Sequence, residues 1–69
     1  MSWDLRQALE VATAAHNAHQ TAATARTLQG AQLACARWYR SKGNNTRAQR
    51  LESRAQHTAQ WAQAQGEMG

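Results

Sequence analysis

A chain of 69 residues has room for one small domain and no more. Its apolar content is 42%, but sixteen of the twenty-nine apolar residues are alanine, so a core rich in large side chains is excluded. The net charge is +4, the lone cysteine rules out a disulfide within the chain, and no apolar run nears the roughly 20 residues that span a bilayer.

Proline is absent, glycine occurs four times, and Ala, Gln, Arg and Leu dominate. These are strong helix formers, so the expected class is all-α. Ser2 reads as an N-cap, and Asp4 places a negative charge in a first turn, where it suits the helix dipole. The opening residues MSWDLRQ lack the apolar stretch of a signal peptide. From Trp3 to Lys42 no glycine or proline marks a turn except Gly30, and a glycine weakens a helix interior without breaking it. One apolar stripe runs through Leu5, Ala8, Leu9, Ala12, Ala15, His16, His19 and Ala23. A second runs through Thr24, Leu28, Ala31, Cys35, Trp38 and Tyr39. At 100° per residue their centres lie roughly 130° apart, more than helix drift produces.

Two architectures fit. A long helix over about 3–42 uses its second half against the next helix and its first half against another subunit. Alternatively, a break near 17–21 gives a three-helix bundle. With Asn17 the one plausible breaker, the reading favours the long helix, an antiparallel hairpin and a homodimer that forms a helical bundle.

Gly43-Asn44-Asn45 is the clear stop, with Gly43 suited to a left-handed position after a helix. The turn is expected over 43–46. Thr46-Arg47-Ala48-Gln49 matches a capping box, so the last helix is expected over about 47–65 with a frayed tail. Ala48, Leu51, Ala55, Thr58, Ala59 and Ala62 line one of its faces. Arg47, Arg50, Arg54, His57 and Trp61 form a separate stripe within about a 60° arc.

Charge is segregated. Residues 37–54 carry Arg37, Arg40, Lys42, Arg47, Arg50 and Arg54 against Glu52 alone, a local +5, and the rest of the chain comes to −1. Arg40 and Lys42 suit a helix C-terminus, whereas Arg47 and Arg50 begin a helix, where cations are mildly unfavourable. Local stability leaves those two unexplained, and a partner would explain them. Arg, Trp and Tyr dominate protein hot spots, and they cluster in Arg37-Trp38-Tyr39-Arg40 and in the Arg/Trp stripe. The expected partner-binding residues are therefore Arg37, Trp38, Tyr39, Arg40, Arg47, Arg50, Arg54, His57 and Trp61. The competing reading makes Trp38 and Tyr39 core and the arginines a solvated flank.

Catalysis has no footing. The four carboxylates are not paired, and neither a glycine-rich phosphate loop nor a nucleophile–base pair is present. His16 and His19 share a face but have no further metal ligands at local spacing, so they read as partly buried or interface histidines. Cys35 reads as core. No cofactor or metal is expected.

The spacing Ala36, Tyr39, Gly43, Ala48, Ala55 resembles a tetratricopeptide helix pair, with Glu52 where an aromatic is usual. As a whole, a short Ala/Gln/Arg-rich chain with Arg37-Trp38-Tyr39-Arg40 ahead of a Gly43-Asn44-Asn45 turn is similar in size and layout to the bacteriophage anti-quorum-sensing (anti-activator) proteins. That resemblance implies a helical-hairpin dimer in the host cytoplasm. It implies that the protein binds a LuxR-type quorum-sensing transcription regulator (LasR) at its DNA-binding domain. It also implies the type IV pilus assembly ATPase (PilB) as a further target. The alternative expectation is a nucleic-acid-binding hairpin dimer similar in layout to the plasmid RNA-binding protein Rop. No membrane partner is expected.

Overall fold

The structure is a computed structural model, and it describes the backbone of residues 3–68 and the side chains of residues 4–65. It is all-helical: α1 spans Trp3–Ala18, α2 Ala22–Ser41 and α3 Asn45–Met68. The expected Ser2 cap lies outside the described residues.

The continuous helix expected over 3–42 is divided in two, within the 17–21 window of the alternative. The break is made by side chains. α1 ends where the His19 N–H reaches the Ala15 carbonyl, and the Thr21 N–H then turns back to the His19 carbonyl. Thr21 is extended (φ −119°, ψ 164°) and caps α2. Its hydroxyl accepts from the Thr24 N–H at 3.2 Å, while its own N–H donates to the Thr24 hydroxyl at 3.1 Å. The Thr24 hydroxyl also donates to the His19 carbonyl at 2.6 Å. This reciprocal pair satisfies helix-end groups that a break otherwise leaves open. Its trace in the sequence is faint, because threonine stands where a capping box usually has Glu or Gln.

The second turn follows expectation in kind and differs in its bounds. Gly43 takes φ +83°, the Asn44 N–H bonds back to the Tyr39 carbonyl, and the Gly43 N–H to that of Arg40. This is the Schellman pattern, which needs a left-handed residue after the helix. The turn occupies 42–44 instead of 43–46, and α3 starts at Asn45. Its cap is the Asn44 carboxamide, which accepts from the Arg47 N–H at 3.3 Å, so Thr46 falls inside the helix. At its far end α3 runs to Met68, past the expected 65.

Both other helices run antiparallel to α2. Glu52 meets Arg40 and Thr58 meets Gln32 between α3 and α2, whereas Leu5 meets Cys35 and His16 meets Thr24 between α1 and α2. α1 and α3 are therefore parallel to each other. The backbones of α1 and α3 stay apart, and α3 packs on α2 over a wider surface than α1 does.

The core is built of alanine. Ala12, Ala25, Ala36, Ala48, Ala55 and Ala62 are buried with Leu28 and Cys35, and in α3 the three alanines repeat every seventh residue. Small side chains on the contact stripe let helix axes approach closely, at the cost of little buried area per residue. Larger side chains, Leu5, Leu9, Leu51, Trp38, Tyr39 and Trp61, are half-buried at its edges. The buried Gln32 is matched by Thr58, whose hydroxyl reaches its Oε1 at 3.2 Å.

The candidate partner-binding groove

Because α1 and α3 flank α2 without touching along their backbones, a groove runs between them. Leu9 of α1 forms one wall, Leu51 the other, and Tyr39 of α2 lies at one end. Arg47, Arg50 and Arg54 line the α3 rim, and the space measures about 200 Å³. Further along, His16 of α1 meets Trp61 of α3 edge-on, ring centroids 5.0 Å apart and planes at 85°, and bridges the two helices. The His16 Nδ1 lies 3.0 Å from the Thr24 hydroxyl. The bridge and the cap that breaks the chain are thus one connected network.

The Arg/Trp stripe read from sequence is therefore the flank of α3 that faces α1. Its arginines form the groove's rim and Trp61 its bridge. His57 lies on the same flank but is exposed and outside the groove.

Arg37-Trp38-Tyr39-Arg40 is not brought together as one surface. Tyr39 belongs to the groove, where the Arg47 guanidinium stacks over its ring at 5.6 Å and donates to its hydroxyl at 3.3 Å. Trp38 is half-buried beside Tyr39, at 5.3 Å and 82°, and carries Lys42 over its face at 5.7 Å. Arg37 and Arg40 point to the opposite cleft between α2 and α3, with Leu33 and Glu52. Arg40 pairs there with Glu52, both side chains about half exposed, which makes the pair a minor contributor to stability.

The groove's electrostatics are one-sided. Among the described residues the ion pairs are Arg6–Glu10 and Arg40–Glu52, which leaves Arg47, Arg50 and Arg54 without a carboxylate partner. Arg47 and Arg50 stand in the first two turns of α3, where the helix dipole opposes them.

Leu9 and Leu51 were absent from the expected site because each reads as a core position on its own helix. Their convergence depends on α1 folding back, which follows from the break at 19–21.

Cys35 is fully buried, its thiol donates to the Leu5 carbonyl at 3.5 Å, and burial raises its pKa. Among the described residues no group of three or more His, Cys, Asp or Glu comes together, and no helix is long and apolar enough to cross a membrane.

Comparison with protein-family models, with curated proteins and with solved structures finds no match.

Proposed function

We propose that this chain is a non-enzymatic binding module whose α1/α3 groove receives an acidic segment of a partner protein with one apolar side chain at its centre. The observation that carries this reading is the pairing of apolar walls, Leu9, Leu51 and Tyr39, with three arginines along one rim, none of which has a carboxylate partner among the described residues. At about 200 Å³ the space is smaller than the roughly 300–1,000 Å³ of small-molecule sites and suits a protein side chain. Arginine adds bidentate recognition of carboxylates around it.

The reading includes two further elements. The three helices act as one unit that self-associates, because an alanine core of this size leaves much apolar surface half-covered. The target class is the one implied by resemblance, a host LuxR-type regulator (LasR) or pilus ATPase (PilB), blocked by occlusion in the host cytoplasm. An arginine-rimmed groove repels the basic surface that such a regulator lays on DNA, so contact falls on an acidic patch beside that surface.

Calorimetric titration against each purified target, and against duplex DNA and RNA, tests the proposal. Arg50→Glu with Arg54→Glu is expected to weaken protein binding by at least about tenfold while the helical circular-dichroism signal is kept. Binding to nucleic acid, tighter than to either protein and falling steeply with salt, overturns it in favour of the Rop-like alternative.

A further inference from the structure

We propose that the segment received by the α1/α3 groove is an amphipathic α-helix, laid antiparallel to α1 and α3, with carboxylates at positions i, i+4 and i+7 facing the arginines of α3. The proposal rests on the acidic-segment reading put forward above and says what form that segment takes.

The walls of the groove favour a helix. α1 and α3 run parallel, both antiparallel to α2, and their backbones stay apart. The molecule is 19 Å across and 12 Å deep, and three helices so placed leave the fourth corner of a bundle open. Both walls are helices, whose backbone groups bond within themselves. An extended segment would bring N–H and C=O groups that find no partner on either wall, whereas a helix carries its hydrogen bonds with it.

The arginines set the register. Arg47, Arg50 and Arg54 follow at intervals of three and four residues on one flank, over about 10.5 Å of axis. None has a carboxylate partner among the described residues. A helix beside α3 repeats the same rise and the same intervals, so its carboxylates can stand opposite all three. Direction fixes their order. An antiparallel helix meets Arg54 first, then Arg50, then Arg47, which reads i, i+4, i+7. A parallel one reads i, i+3, i+7. The antiparallel choice opposes its dipole to those of both neighbours. Leu51 lies about 65° around α3 from the arginine row, on the side toward the alanine seam with α2. An antiparallel occupant mirrors that order, which places its apolar residues directly after the carboxylates, where one enters between Leu9 and Leu51.

The probe is a synthetic peptide of about 15 residues, a length at which an isolated helix is marginal in water. It carries glutamate at i, i+4 and i+7 and leucine after each. On titration with the full chain, difference circular dichroism should show helix gained by the peptide. Calorimetry should show binding at least about tenfold tighter than for the same peptide with a central proline, or with its residues re-spaced for a parallel helix. Isotope-filtered nuclear Overhauser effects should join its leucine methyls to Leu9 and Leu51. Arg50→Glu with Arg54→Glu should weaken binding by at least about tenfold, and lysine in place of the first two glutamates should restore it. Equal binding of the proline peptide overturns the helix and leaves the acidic-segment reading standing. Tighter binding of the re-spaced peptide overturns the antiparallel placement. Binding by none of the three overturns both the helix and the acidic-segment reading.

Discussion

Cys35 is fully buried with its thiol aimed at the Leu5 carbonyl, and burial raises its pKa. A thiol in that position stays protonated and inert, because the thiolate is the nucleophile. Reaction with a disulfide reagent at neutral pH is therefore expected only through opening of the fold, with a rate that follows denaturant. The folded chain holds this proton more tightly than the unfolded one. The stability Cys35 contributes is thus complete below the ordinary thiol pKa of about 8.5 and falls as pH rises beyond it. Chemical denaturation under reductant from pH 7 to 10 should show the parent losing stability relative to Cys35→Ala across that window. Two glycines give opposite tests at the same scale. Beyond its chain neighbours and the local helix backbone, a methyl group added to Gly30 or Gly43 would meet no atom within 4 Å, so clashes drop out and backbone conformation decides. At Gly43 the φ of +83° penalises any side chain, and Gly43→Ala should cost about 1–2 kcal/mol. Gly30 is an exposed helix interior, and Gly30→Ala should add about 1 kcal/mol. Thermal melts of the two variants should move in opposite directions.

Caps decide where the helices begin, and they show what was legible. The Gly43 stop was readable because only a left-handed backbone explains a glycine between cationic helix ends and a pair of asparagines. The cap beyond it lies two residues before its expected place, since Thr46-x-x-Gln49 fits a capping box as well as Asn44 fits an N-cap. The structure gives Asn44 the bond, to the Arg47 N–H. Asn44→Ala should therefore cost about 1 kcal/mol and Thr46→Ala much less. Equal losses on urea denaturation would restore the Thr46 cap. The break at 19–21 was harder to see, because threonine at both ends of a cap leaves a sequence trace no stronger than any Thr-rich helix. The 130° offset between stripes was its real signature. It recorded that the two halves bury different faces, without saying whether a fold-back or another copy covers the first. The arginine flank was legible as a stripe on α3. The groove that it borders was not, since Leu9 reaches it only once α1 has turned back.

At the scale of the whole molecule, cohesion is uneven. α2 and α3 share a long alanine seam, the Gln32–Thr58 bond and the Gly43 turn. α1 adds Ala12 to the buried set, a thiol–carbonyl contact and the His16 bridge, over a smaller surface. Local opening follows such differences, since a segment with few buried contacts opens without the rest. The amides of α1 should therefore exchange with solvent through a local opening, and those facing the α2–α3 seam through near-global unfolding. Native-state hydrogen exchange read by nuclear magnetic resonance across low denaturant should show this. Protection in α1 should be lower and nearly independent of denaturant, while α2 and α3 share a higher, steeply dependent value. Thr24→Ala removes the side-chain half of the capping box, the bond to the His19 carbonyl and the partner of His16, so it should lower α1 protection further and leave the Ala48, Ala55 and Ala62 amides nearly unchanged. One common protection level in all three helices would mean that α1 is fixed as firmly as the hairpin. The arginine groove would then be a rigid slot instead of one whose α1 wall can part to admit a side chain.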